Sequence, residues 1–229
     1  MSTPTAQKPA ALHLGLSFAL LGLLLLWPTQ TAHADEIAIW NFNDSDLIVD
    51  HGSGTLTTNF NLANVQFTLG GTTTNARQGD SAGQSVTLQG GTSTSNNGRY
   101  ITMNVSTLGF SNIGISFATQ GTSTGFNSNQ LQYSLDGVTF LDFGIPYAPL
   151  TAFGLVTFNL SSISGLNNNA AAAFRIVFNG AATATGNNRI DNLVLEGTPV
   201  VAVPEPASIF LLGLGLSMVG TMGRRHRRH

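Results

Sequence analysis

The stretch that sets the fold reads Leu131-Gln132-Tyr133-Ser134-Leu135-Asp136-Gly137-Val138-Thr139-Phe140-Leu141-Asp142-Phe143. Apolar and polar side chains alternate on both sides of Asp136-Gly137, and this period of two is typical of strands with one buried face. An Asp-Gly pair suits a two-residue type I′ turn, because both central residues of that turn need a positive φ. The stretch therefore predicts an antiparallel hairpin with strands at 131–135 and 138–143.

The same period continues in both directions along the chain. Further strands are predicted at 37–42, 65–69, 85–88, 100–105, 113–117, 155–160, 174–178 and 189–195. Gly-, Asn- and Ser-rich segments separate them, as loops would, and no comparable segment repeats at three and four residues. About ten strands predict an all-β fold, an antiparallel two-sheet β-sandwich of jelly-roll type over residues 35–200. We assign Trp40 and most phenylalanines to its core.

The charge and cysteine content exclude several classes of function. Residues 35–203 contain four arginines, no lysine and ten acidic residues, a formal charge of −6. This balance excludes a basic surface for nucleic acid. The chain has no cysteine, which excludes disulfides, thiolate catalysis and cysteine-ligated metal sites.

The N-terminal 34 residues have the three-part layout of a secretory signal peptide. Lys8 precedes an apolar run at 12–27, and small residues stand at Ala32 and Ala34, the two positions that signal peptidase reads. The apolar run is about 15 residues long, shorter than the roughly 20 that cross a bilayer. We expect the secretory (Sec) machinery to export the chain and signal peptidase to cut after Ala34; the alternative is an uncleaved membrane anchor.

The C-terminal segment, 201–229, also has three parts. Pro204, Glu205 and Pro206 come first, and the two prolines bias the backbone toward an extended form that a protease can bind. Residues 207–223 carry no charge and are just long enough for a transmembrane helix. A basic tail at 224–229 follows, which we expect to hold this end in the cytoplasm and the body outside. The arginines of this tail are Arg224, Arg225, Arg227 and Arg228.

A proline-glutamate-proline tripeptide, a short apolar helix and a terminal arginine cluster, in this order, resemble the PEP-CTERM sorting signal of Gram-negative bacteria. The resemblance implies that an exosortase, a membrane protease-transferase, processes the chain near the tripeptide. It also implies transient anchoring in the inner membrane, followed by a place at the cell surface or outside the cell. In that family the signal often accompanies exopolysaccharide production. An ordinary tail anchor is the alternative.

A second resemblance covers about 129–197. The succession of segments 131–137, 174–178 and 189–195 is similar to extracellular galactose-binding-like domains. The resemblance implies a lectin-like jelly roll, whose members include carbohydrate-binding modules. Such modules often carry a structural calcium ion, which here implies Asp191 in the last strand and Asp44 or Asp46 after the first strand as ligands.

His51 is the one histidine of residues 35–203, and it follows Asp50 directly. A serine hydrolase would need a nucleophile beside this pair. Glycine-x-serine-x-glycine does occur, at 79–83 and 121–125, but no helical pattern follows either match, as the strand-to-helix turn of a nucleophile elbow requires. Adjacent residues of a strand also face opposite ways, so Asp50 could not orient His51. We therefore predict no catalytic residue and interpret His51 as a loop histidine exposed to water.

Tyr147 is the candidate for sugar contact, because it lies between Pro146 and Ala148-Pro149 in a predicted loop, where its ring would be exposed. Together these features favour an exported, non-enzymatic surface or matrix protein that contributes to a polysaccharide or biofilm layer by adhesion or sugar contact. Two alternatives stay open. One is a dedicated carbohydrate-binding module, and the other is a secreted polysaccharide hydrolase with unrecognised catalytic residues.

Overall fold

The computed structural model of the chain describes residues 34–200, which hold the predicted sandwich domain. The predicted signal peptide as far as His33 and the whole predicted sorting signal, 201–229, lie outside the described residues. Within 34–200, no helix is long and apolar enough to cross a membrane.

The described residues form twelve strands and three short 3₁₀ turns. The strands are β1 (Asp35–Trp40), β2 (His51–Gly52), β3 (Thr55–Thr58), β4 (Val65–Leu69), β5 (Gln84–Gln89), β6 (Arg99–Asn104), β7 (Phe110–Gly121), β8 (Ser128–Ser134), β9 (Leu141–Tyr147), β10 (Gly154–Asn159), β11 (Ala173–Asn179) and β12 (Asn187–Pro199). The 3₁₀ turns are Leu62–Asn64, Thr92–Thr94 and Ser164–Leu166.

The strands form two sheets, and every strand pair is antiparallel. Sheet A has the order β10-β7-β12-β1-β2, and β5 and β4 extend it from the first half of β12. Sheet B has the order β3-β6-β11-β8-β9. The predicted all-β, antiparallel two-sheet sandwich is confirmed. Its central strand, β12, is the longest because it pairs with β7 along one side and with β5 and then β1 along the other.

The inward faces of the two sheets enclose one apolar core. Trp40 is fully buried there, which confirms its assignment, and Phe60, Phe126 and Phe178 pack edge to face with ring centroids 5.6–5.8 Å apart. Edge-to-face rings of this kind add about 0.5–1.5 kcal/mol per pair beyond the burial of their area.

The predicted two-residue turn at Asp136-Gly137 is wrong, although β8 and β9 do form a hairpin. β8 ends at Ser134 and β9 begins at Leu141, and only Gly137 of the pair has a positive φ. Asp136 Oδ1 instead accepts hydrogen bonds from the backbone N–H groups of Val138 and Thr139, 2.9 and 2.7 Å away. These bonds hold the pKa of Asp136 well below its usual range and favour a longer, side-chain-capped connection.

Two strands of the structure, β2 and β3, were not predicted from the sequence pattern. β2 has two residues and β3 four, which is too short for an alternation to be recognised. His51 consequently lies in β2, opposite Ile39 of β1, and not in a loop as expected. Its side chain is 37% exposed, so one part of that expectation, contact with water, is confirmed.

Candidate functional site

The outer face of sheet A carries a row of polar side chains that crosses four adjacent strands. Gln66 of β4 lies opposite Thr87 of β5, and Thr87 lies opposite Arg189 of β12. Arg189 in turn lies opposite Gln120 of β7. Because side chains alternate along a strand, the neighbours of Gln66 and Thr87 point inward, and Phe67, Val86 and Leu88 pack in or against the core.

This row forms the floor of a groove of about 650 Å³. Amide and hydroxyl side chains dominate its lining, with one guanidinium, and neither a carboxylate nor an aromatic ring is among them. The lining residues are Gln66, Thr68, Thr87, Gln89, Gln120, Gly121, Thr122, Ser123, Thr151, Asn187 and Arg189. Such groups both donate and accept hydrogen bonds, as the hydroxyl groups of a sugar do.

Arg189 holds the floor of the groove together. Its Nε donates to Ser85 Oγ at 2.9 Å, and one terminal nitrogen donates to the carbonyl oxygens of Leu69 and Thr68 at 2.7 and 3.1 Å. The ring of Phe153 lies 5.5 Å from its guanidinium carbon. Burial lowers the pKa of Arg189, an effect that the charge of Asp191 opposes. Arg189 therefore links β12 to β4 and β5, and its role here is structural.

Two glutamines in the groove are less constrained than Arg189. Gln89 Nε2 donates to Gln66 Oε1 across 3.3 Å, and this is the one hydrogen bond that either side chain makes within residues 34–200. The Gln66 amide nitrogen and the Gln89 amide oxygen thus keep a donor and an acceptor for a ligand. Gln120 differs, because its Nε2 donates to Thr151 O at 2.7 Å.

The long connection from β4 to β5, residues 70–83, is fastened to the centre of sheet A. Asn192 Nδ2 donates to the carbonyl oxygens of Thr72 and Thr74 at 2.7 and 3.0 Å. Asn75 Nδ2 donates back to Asn192 O at 2.8 Å. Thr72 N donates to Asp191 Oδ2 at 2.6 Å. The bulge that follows Asp191 in β12 places Asn192 at a φ of 49°. The 70–83 connection is held to sheet A through the hydrogen bonds of this residue.

Asp191 is buried, with 1% of the residue exposed. Burial raises the pKa of its carboxyl to about 7, and the hydrogen bonds from the backbone of Thr72 and Asn192 offset only part of that shift. The charged side chains that act on it are Arg189, which lowers its pKa, and Asp80, which raises it.

Asp44 and Asp46, the expected calcium partners of Asp191, lie in the segment between β1 and β2. Neither Asp44 nor Asp46 is among the charged groups that act on Asp191. Asp46 Oδ1 accepts a hydrogen bond from Ile48 N at 2.7 Å, within its own loop, and Asp44 acts on Asp50. Within residues 34–200, no three His, Asp or Glu side chains are grouped as a metal site requires. Calcium binding by Asp191 with Asp44 or Asp46 stays a prediction.

The calcium prediction is checked by thermal melting of the purified chain. If calcium ties β1 to β12, replacing a chelator with calcium is expected to raise the Tm by several degrees, because the ion binds only the folded state. The rise should be absent in Asp191→Ala. An unchanged Tm in the original chain would end the calcium hypothesis.

The buried carboxyl of Asp191 should make the free energy of unfolding depend on pH. Its folded-state pKa of about 7 is above the unfolded value of 3.8, so the folded protein keeps a proton that the unfolded chain has lost. The free energy of unfolding is therefore expected to fall as the pH rises from about 4 to 7, by up to ~2–4 kcal/mol. Urea denaturation in chelator, compared between the original chain and Asp191→Asn, isolates this contribution. Equal slopes against pH in the two proteins would contradict it.

Tyr147 lies in a different environment from the one predicted. It is the last residue of β9 and not part of a loop, and its ring packs against those of Phe117 and Phe158, each 5.9 Å away between centroids. Its hydroxyl oxygen is enclosed, and burial raises its pKa far above the ordinary value. The expected exposed ring for sugar contact is wrong, because the inward face of β9 directs this side chain toward the core.

Asp50 does not orient His51 as the triad of a serine hydrolase would require. Asp50 Oδ2 accepts from the backbone N–H of Asn41 at 2.6 Å, and burial raises the pKa of Asp50. His51 Nε2 instead lies 4.0 Å from Asp80 Oδ2. Asp50 is thus engaged with the backbone of the neighbouring segment and is not the carboxylate that a hydrolase would use to orient His51.

Comparisons with known proteins give one family match and several similar folds. A search of curated proteins found no matching sequence. The chain is similar to the CBM22-1 xylan-binding domain of Xyn10C from Paenibacillus barcinonensis, with a TM-score of 0.46, 10% identity, and coverage of 75% of this chain and 99% of that one. It is also similar to domain 4 of AbnA, an extracellular arabinanase from Geobacillus stearothermophilus, with a TM-score of 0.45, 12% identity, and coverage of 72% and 94%.

A third similar structure is the K3 cleaved adhesin domain of Lys-gingipain from Porphyromonas gingivalis, with a TM-score of 0.42, 12% identity, and coverage of 72% and 99%. At such scores nothing about the ligand of this chain follows from these structures. The family match is different in kind, because it covers the C-terminal segment itself: residues 202–228 match the PEP-CTERM protein-sorting motif. The chain thus carries a PEP-CTERM sorting motif, as the tripeptide, apolar segment and arginines indicated, together with a two-sheet antiparallel β-sandwich.

Proposed function

We propose that this chain is an exported, non-enzymatic protein of the cell surface or extracellular matrix that contacts polysaccharide through the groove on sheet A. Exosortase processing, after transient anchoring in the inner membrane, is proposed from the sorting motif at 202–228. The sandwich would then contribute to an exopolysaccharide or biofilm layer. The observation that carries the polysaccharide contact is the register of the polar row, which places amide, hydroxyl and guanidinium groups from four strands on one groove floor.

Hydrogen bonding is the recognition chemistry that this groove offers. Neutral amides and hydroxyls exchange hydrogen bonds with water for hydrogen bonds with a sugar without the cost of desolvating a charge. Gln66 and Gln89 keep unused donor and acceptor atoms for this purpose. Because no aromatic ring within residues 34–200 lines the groove, we expect stacking to contribute little and the affinity to be modest and to depend on several sugar units bound at once.

The absence of acid–base groups from the groove favours binding over hydrolysis. Glycoside hydrolysis needs two carboxyl groups on opposite sides of the scissile bond, and no Asp, Glu or His lines the groove in the described part of the chain. This supports the non-enzymatic proposal over the secreted hydrolase. A dedicated carbohydrate-binding module uses the same groove and differs only in being selective for one glycan.

Titration of a panel of neutral and acidic polysaccharides against the purified chain tests the proposal. The double variant Gln66→Ala/Gln89→Ala is expected to weaken polysaccharide binding several-fold, because it removes the donor and acceptor that these side chains leave unused within residues 34–200. Thr57→Ala, an exposed position of β3 in sheet B, is the matched control and should leave binding unchanged. Equal binding by the double variant, or release of reducing sugar ends from the panel, would refute it.

A further inference from the structure

The outer face of sheet B carries an arginine held between two aromatic rings. The guanidinium carbon of Arg175, in β11, lies 4.0 Å from the ring centroid of Phe140 and 4.6 Å from that of Tyr100. Tyr100 belongs to β6, and Phe140 directly precedes β9, so the rings come from the two sides of β11. Both distances lie within the roughly 6 Å over which a cation is attracted to a ring face.

Hydrogen bonds fix the orientation of this guanidinium. Arg175 lies opposite Thr102 in the β6–β11 pair and opposite Gln132 in the β8–β11 pair. Its Nε donates to Gln132 Oε1, and Gln132 Nε2 donates to Asp142 Oδ1 at 2.6 Å. Gln132 thus stands between the cation and the carboxylate of Asp142, which form no ion pair.

The terminal nitrogens of Arg175 have no acceptor within residues 34–200. Neither makes a hydrogen bond, and no carboxylate lies within 4.0 Å of them. The other arginines of the described chain use theirs on the protein: Arg77 on Glu196 and Asn75 O, Arg99 on Asn59 O, and Arg189 on Leu69 O. Arg175 is therefore oriented by its rings and its Nε while its terminal N–H groups stay free for a ligand.

We propose that Arg175, with Tyr100 and Phe140, binds the carboxylate of a uronic acid unit in an acidic polysaccharide. A guanidinium presents paired N–H groups in a plane, which matches the two oxygens of a carboxylate. The ring contacts hold that plane in place, so little side-chain entropy is lost on binding. This site is separate from the groove on sheet A and takes from the proposed function only that the ligand is a polysaccharide.

The charge of the domain does not prevent such binding. At physiological ionic strength the screening length is about 8 Å, so the net charge of −6 acts weakly over the size of the molecule. Asp142 is the acidic group that Gln132 links to the site, and it is exposed. Its negative charge lowers the affinity of the site for an anion but does not neutralise Arg175. Removing the charge of Asp142 should therefore strengthen anion binding, whereas removing that of Arg175 should weaken it.

Titration of oligogalacturonate and of its methyl ester against the full chain, purified in detergent, tests the site. The ester has the same sugar backbone without the charge, so the original chain is expected to bind the acid at least several-fold more tightly than the ester. Arg175→Gln should weaken binding of the acid by roughly tenfold or more and leave the ester unaffected. Asp142→Asn should strengthen binding of the acid a few-fold.

Arg99→Gln is the matched control, because it removes the same charge from the same sheet at a position without aromatic contacts, and it should bind as the original chain does. Loss of acid binding in Arg175→Gln with an unchanged Tm supports the site. If Arg175→Gln does not fold, two other variants test the site. Asp142→Asn should strengthen binding of the acid, and Phe140→Leu should weaken it. The Arg175 site is overturned if the original chain binds acid and ester equally or binds neither. It is also overturned if only Gln66→Ala/Gln89→Ala weakens binding, and in that case the groove on sheet A remains the one proposed polysaccharide site.

Discussion

Replacing Pro204, Glu205 and Pro206 together with alanine is expected to abolish release of the chain from the membrane almost completely. The uncharged segment 207–223 and the arginines beyond it are unchanged, so membrane insertion and orientation should persist. The tripeptide is the part of the sorting motif that a processing enzyme would bind, and alanine removes both the fixed φ of the prolines and the carboxylate. Fractionation and mass spectrometry of the protein from a host that has an exosortase measure the outcome.

A matched variant controls for changes in the same segment. Alanine at Val200, Val201 and Val203 alters three neighbouring residues but keeps the tripeptide and the apolar segment, and it should be processed normally. If the tripeptide variant is released with a shortened C-terminus like the original chain, the assignment of residues 204–206 as the processing motif is refuted.

Asn192→Ala is expected to give the largest loss of stability for a single polar side chain, about 2–4 kcal/mol. The substitution removes the hydrogen bonds from Asn192 Nδ2 to Thr72 O and Thr74 O and leaves those carbonyl groups without their donor. It also places alanine at a φ of 49°, which asparagine tolerates better than other L residues with a β-carbon. Urea denaturation measures the change in the midpoint.

Two further variants separate the causes. Asn192→Gly relieves the backbone strain but not the lost hydrogen bonds, so it should recover only about 1 kcal/mol of the loss. Asn179→Ala, at an exposed position of β11 whose side chain makes no hydrogen bond within the described residues, should change stability by less than about 0.5 kcal/mol. A midpoint for Asn192→Ala equal to that of Asn179→Ala would show that the 70–83 connection is not fastened through this side chain.

Two of the corrections concern the β8–β9 hairpin. The pattern of residues 131–143 located the β8–β9 hairpin, but the hydrogen bonds from Val138 and Thr139 to the Asp136 carboxylate set a longer connection. β9 begins at Leu141, after that connection, and extends to Tyr147, whose ring packs inward. A turn motif indicates only a local preference for a turn type. The type that forms also depends on the side-chain hydrogen bonds made within the folded turn.

The sequence by itself determined the class of fold and the sorting motif, because both depend on local pattern. Alternation in strands such as β4 and β5 assigns one face to the core, and proline, apolar and arginine residues in order form the motif at 202–228. The alternation also places Gln66 and Thr87 on outer faces. The alternation does not indicate which strands are neighbours in a sheet.

The tertiary structure alone decided both candidate sites, because each is made of residues distant in sequence. Arg189 and Gln66 reach one groove floor only because β5 joins β4 to β12. Arg175 meets Tyr100 and Phe140 only because β11 lies between β6 and β8, with β9 beyond. Period-two patterning gives every strand the same signal whatever its neighbours are, so strand order and register follow from how the whole core packs.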